Sequence, residues 1–249
     1  MNILVCLSRV PDTSSKIEVG ATPSEINKVN LKYVINPYDE YALEEALLIR
    51  AKHGGNIMAI TAGDEQSVDV LRSAYALSVD KAVLIKADAL SNDSDTIASA
   101  VADFARTQSF DLILCGRQSI DYASEALPIF LSEYLNVPVL TNAGKIEFNG
   151  TEVIVDKELE NGSIQMSTQL PCIISVQKGI NQPRYPKLPD IMKAKSKAIQ
   201  DFAPNAKQPK TKAVAIETQQ KVRNKKVVGS SKEEIIEIVN LLKNEAKVL

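Results

Sequence analysis

The sequence predicts an α/β protein: a parallel sheet flanked by helices, with an antiparallel extension and an extended C-terminal arm. Three observations carry this. From residue 3 to residue 136, short unbroken apolar runs alternate with segments whose apolar residues recur every three or four positions, which is the pattern of buried parallel strands and covering helices. After Pro138 the period falls to two and hairpin dipeptides appear, Asn149-Gly150 and Asn161-Gly162, as antiparallel strands require. From about residue 201 the chain turns polar, rich in lysine and glutamine, and then ends in an amphipathic segment.

Taken in order, Ile3 to Leu7 is the first strand, and Pro11 in the loop after it opposes a helical continuation. Lys16 to Tyr33 mixes turn formers with short β-like pieces and reads as a surface excursion. Asn36-Pro37 starts a helix whose stripe is Ala42, Leu43, Ala46, Leu47 and Ile49, with Asn36 or Asp39 as N-cap. Asn56 to Thr61 is a strand closed by Ala62-Gly63-Asp64, and a helix from about Glu65 to Ala76 follows. Lys81 to Lys86 is the third strand, and Ser94 to Thr107 an amphipathic helix capped by Asp93 or Ser94. Leu112 to Cys115 is the fourth strand; Gly116 ends it, a polar loop follows, and a helix carries Ala126, Leu127, Phe130, Leu131 and Tyr134.

Beyond Pro138, strands are expected at Ala143 to Phe148, Glu152 to Asp156, Ile164 to Gln169 and Pro171 to Val176, extending the sheet at one edge or capping it. Pro183, Pro186 and Pro189 fall within seven residues, which dictates an extended loop. A short lysine-rich helix from Asp190 to Ile199, capped by Asp190, comes next. Ser231 to Lys247 is a last amphipathic helix with Ile235, Ile236, Ile238, Val239, Leu241 and Leu242. An apolar helix on a polar tether needs a surface to cover, its own domain or a partner subunit; the reading favours the partner. The domains are therefore residues 1–200 and a C-terminal arm with its helix, 201–249.

Composition excludes several functions. A formal charge of −2 and 5% aromatic residues without tryptophan give no electrostatic or stacking reason to expect nucleic acid. No apolar run reaches the roughly 18 residues of a membrane span, and the N-terminus reads straight into a strand rather than a signal peptide, so a cytoplasmic location is expected. Cys6, Cys115 and Cys172 are far apart and each has apolar neighbours, the setting of buried thiols rather than of a metal site or disulfide. His53, the single histidine, sits before Gly54-Gly55 at a helix end. Histidine-based triads and His-rich zinc sites are thereby ruled out, and any redox chemistry must be carried by a cofactor. Neither a Walker loop nor G-x-G-x-x-G occurs, and glycine totals 10. A nucleotide would instead be held by loops at the ends of the first, second and fourth strands, where open α/β sheets place ligands. The loop and helix N-terminus after Cys115 suit a phosphate, though an ordinary hydrogen-bonded βα connection reads equally well.

Several separated motifs, NILVCLSRVPDT, INPYDEYALEEAL, CGRQSIDY and VDKELENGSIQMSTQLPCIISVQKGINQPRYPKLPDIMKAKSKAI, together resemble the beta (small) subunit of electron-transfer flavoprotein, over essentially residues 1 to 200. The resemblance implies an adenine-nucleotide alpha-hydrolase-like fold. It also implies a heterodimer with a larger alpha subunit that carries most of the FAD site. Electrons would pass from flavin dehydrogenases, such as acyl-CoA dehydrogenases, to a quinone reductase, with no catalytic side chain on this chain and no insertion into the membrane. In the ordinary branch the beta subunit buries an AMP, and in the electron-bifurcating branch a second FAD lies in its place. A flavin-free nucleotide-binding regulatory protein is the reading from a different class.

By motif position the resemblance assigns the nucleotide to Cys6, to Asn36, Pro37, Tyr38 and Asp39, and to Ala62. It further assigns Arg117, Ser119, Asp121, Tyr122, Ala123, Ser124, Glu125, Ala126, Leu127 and Pro128 in the phosphate segment. Leu188 falls where family members plug into the dehydrogenase, with Pro189, Ile191 and Met192 beside it. The phosphate segment departs from the family's Q-x-G or Q-T-G pattern. Glu125 adds negative charge, Leu127 offers no hydroxyl and Pro128 no backbone donor, while Ser124, Arg117 and the remaining backbone N–H groups are left as phosphate partners.

Overall fold

The computed structural model describes residues 1–86, 93–205, 207–218, 227 and 229–248. The apolar run at the N-terminus forms β1 (Asn2–Cys6), the middle strand of a seven-stranded sheet. Flanking it are β4 (Asn56–Gly63) and β6 (Leu112–Gly116). Outside β4 lie β5 (Lys81–Lys86) and then β12 (Gln200–Phe202), and outside β6 lie β11 (Cys172–Val176) and then β7 (Val139–Ala143). Every pairing in this sheet is parallel. A parallel sheet is stable when both faces are covered, and the two core clusters meet that need. One joins the sheet to α1 (Pro37–His53) and α2 (Val68–Ala76), the other to α3 (Ser94–Ala105) and α4 (Leu127–Leu135).

The order of strands decides where a ligand can enter. The chain leaves β1 through α1 to β4 and moves outward to β5, then returns on the other side of β1 to form β6. The winding direction therefore reverses between β1 and β6, and their carboxyl ends splay into a crevice.

The hairpin signals form a separate layer. β8 (Lys145–Asn149), β9 (Glu152–Leu159) and β10 (Gly162–Gln169) make a three-stranded antiparallel sheet, and Val153 and Val155 enter the first core cluster. The expected strand Ala143 to Phe148 is two strands, because Gly144 breaks it and donates its N–H to the Asp156 carbonyl at 2.8 Å. A small antiparallel pair, β2 (Arg9–Pro11) with β3 (Tyr33–Ile35), brackets the surface excursion.

Other local expectations shift by a turn. The helix expected from Glu65 begins as a 3-10 turn, Glu65–Ser67, because the Asp64 carboxylate accepts the N–H of Gln66 at 3.0 Å and tightens the entry. Asn36 stands at the N-cap of α1 without capping it, its side chain being used elsewhere. The helix expected at Asp190–Ile199 is α5 (Leu188–Ala194), which starts two residues earlier with Lys187 at its N-cap and no side-chain cap. It ends early because α2 captures the outgoing chain: Arg72 Nη1 donates to the Ala194 carbonyl at 2.7 Å and Tyr75 to the Ala198 carbonyl at 2.5 Å.

Two features lie in the stretch read as the arm. β12 adds an edge strand to the sheet, and Phe202 packs edge-on against Phe104 with ring centroids 5.2 Å apart. Beyond it the chain is tied to α3: Asn205 donates to Asp103, Lys207 and Lys210 both lie 2.9 Å from Asp95, and Thr211 donates to Asp93. Contacts divide the chain into two units, Met1–Ile216 and Glu217–Leu249. The second contains α6 (Lys232–Asn244), opened by a capping box between Ser231 and Glu234, with Ile235, Ile236, Val239 and Leu242 exposed. Among the described residues no helix is long and apolar enough to cross a membrane.

Candidate functional site

The crevice between β1 and β6 is closed at its floor by the first turn of α1. Asp39 is buried and places one carboxylate oxygen on each strand end: Oδ2 accepts the Ser8 N–H at 2.7 Å and Oδ1 the Gly116 N–H at 3.1 Å. Burial pushes its carboxyl up to about 7, against the lowering effect of these N–H bonds. Asn36, also buried, ties the same turn to the loop after β6. Its Nδ2 donates to the Gln118 carbonyl at 2.8 Å and its Oδ1 accepts the Ile120 N–H at 3.2 Å. The loops after β1 and after β6 are thus both fixed to one helix start by two of its side chains. Gly116 is required there, since a Cβ would fall 2.4 Å from Asp39 Oδ1 and 2.6 Å from the Tyr38 carbonyl carbon.

In the core cluster shared with α3 and α4, the Cys6 and Cys115 thiols neighbour each other on β1 and β6, both buried; contact with Cys6 and burial raise the Cys115 thiol well above its ordinary value. Pro37, Tyr38 and Ala62 are part-exposed around the opening. The helix start that the resemblance assigns to the nucleotide lies at the carboxyl ends of β1 and β6. The polar atoms of Asn36 and Asp39, however, bind the protein's own loops.

The loop from Arg117 to Ala126 is equally self-engaged. Arg117 Nε donates to Glu125 Oε1 at 2.9 Å, and its N–H goes to the Val176 carbonyl. Ser119 donates its N–H to the Ser124 carbonyl at 3.2 Å and its hydroxyl to Asp121, whose carboxylate also accepts the Tyr122 N–H. The Ser124 hydroxyl pairs with the Ser94 hydroxyl at 2.7 Å and receives the Ala126 N–H. Ala123 adopts a left-handed φ of 51°, which turns the loop towards α4. In the first turn of α4, Pro128 has no donor, and Ile129 and Phe130 donate to the Ala126 carbonyl, so that turn offers an anion the Leu127 amide alone. The charge expected to repel a phosphate is present, and the cation expected to attract it is already paired. These residues do not fit a phosphate.

A second candidate surface is α5. Leu188 is 72% exposed and Met192 59%, with Ile191 also exposed and Pro189 next to them in the first turn. The preceding loop is anchored on α1. Arg184 meets the buried carboxylate of Glu44 through Nε at 2.8 Å and Nη2 at 2.6 Å, and Asn181 donates to Glu45 and to the Tyr41 carbonyl. The sequence showed the apolar residues and the prolines. It missed Glu44 and Ser94, whose partners lie 140 and 30 residues away. A charged residue at a buried position of α1 was the one available signal for Glu44.

This architecture, a doubly wound sheet with its switch point between β1 and β6 and an exposed apolar helix on a clamped loop, is that of an open-sheet α/β protein. A family model described as the electron transfer flavoprotein domain matches residues 25–207. The chain is 37% identical over 259 residues to the electron transfer flavoprotein subunit beta of Bacillus subtilis (strain 168), covering the whole of both chains. It is 35% identical over 257 residues to the mitochondrial electron transfer flavoprotein subunit beta of Oryza sativa subsp. indica, again over the whole of both. The subunit beta of Thermoanaerobacterium thermosaccharolyticum is 35% identical over 199 residues, 79% of this chain and 76% of that one. The chain belongs to the electron transfer flavoprotein beta-subunit family.

Proposed function

We propose that the chain is the beta subunit of a heterodimeric electron carrier in the cytoplasm. It supports an FAD held mostly by a larger alpha subunit. Electrons enter from flavin dehydrogenases, such as acyl-CoA dehydrogenases, and leave to a quinone reductase. The observation that carries this reading is the pairing of family membership with α5, an exposed apolar helix start whose loop is pinned by Arg184 to Glu44. An apolar anchor with a polar rim, rigid before contact, is how a transient partner is held at small entropic cost. Lys187, Lys193 and Lys195 supply the rim. α6, capped and apolar on one stripe, is the element assigned to the alpha subunit.

Redox chemistry in this scheme belongs to the flavin, and this chain's residues position and recruit. Asp39 and Asn36 hold the loops after β1 and β6 against the start of α1, while Leu188, Pro189, Ile191 and Met192 present the docking surface.

Co-expression with a cognate alpha subunit tests the reading. One flavin per heterodimer, bleached by a flavin dehydrogenase and its substrate, supports it. Two flavins per heterodimer would move the assignment to a bifurcating carrier, and a stable flavin-free homo-oligomer that ignores the alpha subunit would overturn it.

A further inference from the structure

The loop after β6 carries its own anion. Between Arg117 and Pro128 there is one cation, Arg117, against two carboxylates, Asp121 and Glu125. The cation is committed: Arg117 Nε donates to Glu125 Oε1 at 2.9 Å. The loop's serine hydroxyls are engaged as well, Ser124 with Ser94 at 2.7 Å and Ser119 with Asp121. Several backbone donors are also used inside the loop. Those of Ser119, Ile120, Tyr122 and Ala126 end on Ser124, Asn36, Asp121 and Ser124, and those of Ile129 and Phe130 on the Ala126 carbonyl. Pro128 removes one further amide from the helix start, where an anion is ordinarily received. A phosphate dianion arriving here would have to share Arg117 with Glu125 or displace it, and in either case face that carboxylate as a like charge.

We propose that this subunit keeps no phosphorylated nucleotide in the crevice: the Glu125 carboxylate, held by Arg117, is the built-in anion of the loop and stands in for a ligand phosphate. The loop is ordered by its own ion pair and hydroxyl contacts, so assembly with the alpha subunit does not wait for AMP. The crevice then accepts at most an uncharged nucleoside, which has no phosphate to compete with Glu125. This rests on the assignment to the flavoprotein beta-subunit family and narrows it to a carrier whose nucleotide cofactor is the flavin alone.

The test uses the heterodimer purified after co-expression with its alpha subunit, denatured to release bound nucleotides for chromatography. The expected result is one FAD and no AMP, with millimolar AMP leaving the melting temperature of the intact heterodimer unchanged. Titration calorimetry with AMP should then show Glu125→Gln gaining at least about tenfold in affinity, because the glutamine frees the Arg117 charge and removes the repulsion. Adenosine, the uncharged probe, should bind wild type and variant alike. Stoichiometric AMP in the wild-type heterodimer overturns the proposal, and so does an AMP affinity that Glu125→Gln leaves unchanged. Flavin content reports separately on the family-based reading: AMP with FAD overturns only the inference about Glu125, whereas absence of FAD removes both.

Discussion

Gly116 and Asp39, 77 residues apart in sequence, are hydrogen-bonded across the switch point, with the Gly116 N–H donating to Asp39 Oδ1 at 3.1 Å. This bond joins the end of β6 to the start of α1, and the second oxygen of the same carboxylate takes the Ser8 N–H at the end of β1. The crevice geometry depends on it.

Gly116→Ala tests the closeness of that approach. The added Cβ would meet backbone of Tyr38 and Asp39 at 2.6 and 2.7 Å, and backbone cannot rotate aside. The expected loss is about 1–3 kcal/mol of stability, read by urea unfolding. A variant as stable as the parent would show that α1 can shift outward freely.

The pH dependence of Asp39 has a definite sign. Burial raises its carboxyl from 3.8 to about 7, so the folded chain holds the proton more tightly than the unfolded chain does. The stability this contributes is fully present below the unfolded value and is lost as pH rises through the folded one. Against Asp39→Asn, the wild type should therefore lose ground between about pH 4 and pH 7 and change little above that. Unfolding of both proteins across this range checks it, and a pH-independent difference counts against the raised carboxyl.

Arg184→Ala should loosen the docking loop while sparing the sheet. The Glu44 carboxylate is 6% exposed and would lose a guanidinium partner that is itself 51% exposed. The stability cost is accordingly at the low end for a buried pair, about 1 kcal/mol. The larger expected effect is faster proteolysis between residues 181 and 189 with flavin content unchanged. Arg184→Lys should restore little, because a lysine cannot reproduce the two-point contact.

Leu188→Ala should lower the affinity for a donor dehydrogenase by about thirtyfold, the equivalent of about 2 kcal/mol for an anchor residue. The check is the dependence of flavin reduction rate on dehydrogenase concentration, with FAD content as the control. An unchanged dependence would place the docking surface elsewhere.

Lys207→Ala combined with Lys210→Ala should free the chain after β12. Both ammonium groups lie 2.9 Å from the Asp95 carboxylate, and Lys207 first, then Lys210, holds that carboxyl below its ordinary range. Limited proteolysis between residues 203 and 216 should accelerate several-fold in the double variant, and in the wild type on raising salt, which screens such pairs. The Asp103 contacts of Asn205 and the Asp93 contact of Thr211 remain as a partial hold.

The sequence by itself determined the layers of this protein. Runs such as Ile57–Ile60 and Leu112–Cys115 are apolar without alternation because both sheet faces are covered, and that requirement is written locally in each strand. The same holds for α3, which Asp93 caps through the Thr96 N–H, and for the hairpins at Gly150 and Gly162, whose positive φ only local turn residues supply. What the tertiary structure alone decided is who pairs with whom. Asn36 reads as a helix cap, yet its amide goes to Gln118 and Ile120, more than 80 positions away. Arg117 reads as a phosphate ligand, yet it faces Glu125, because the left-handed turn at Ala123 brings the two together. β12 is too short to show a period, and it became a strand only because β5 offered an open edge. Burial leaves a periodic trace in composition; a hydrogen bond between distant loops leaves none, since its partner is chosen by the winding of the sheet.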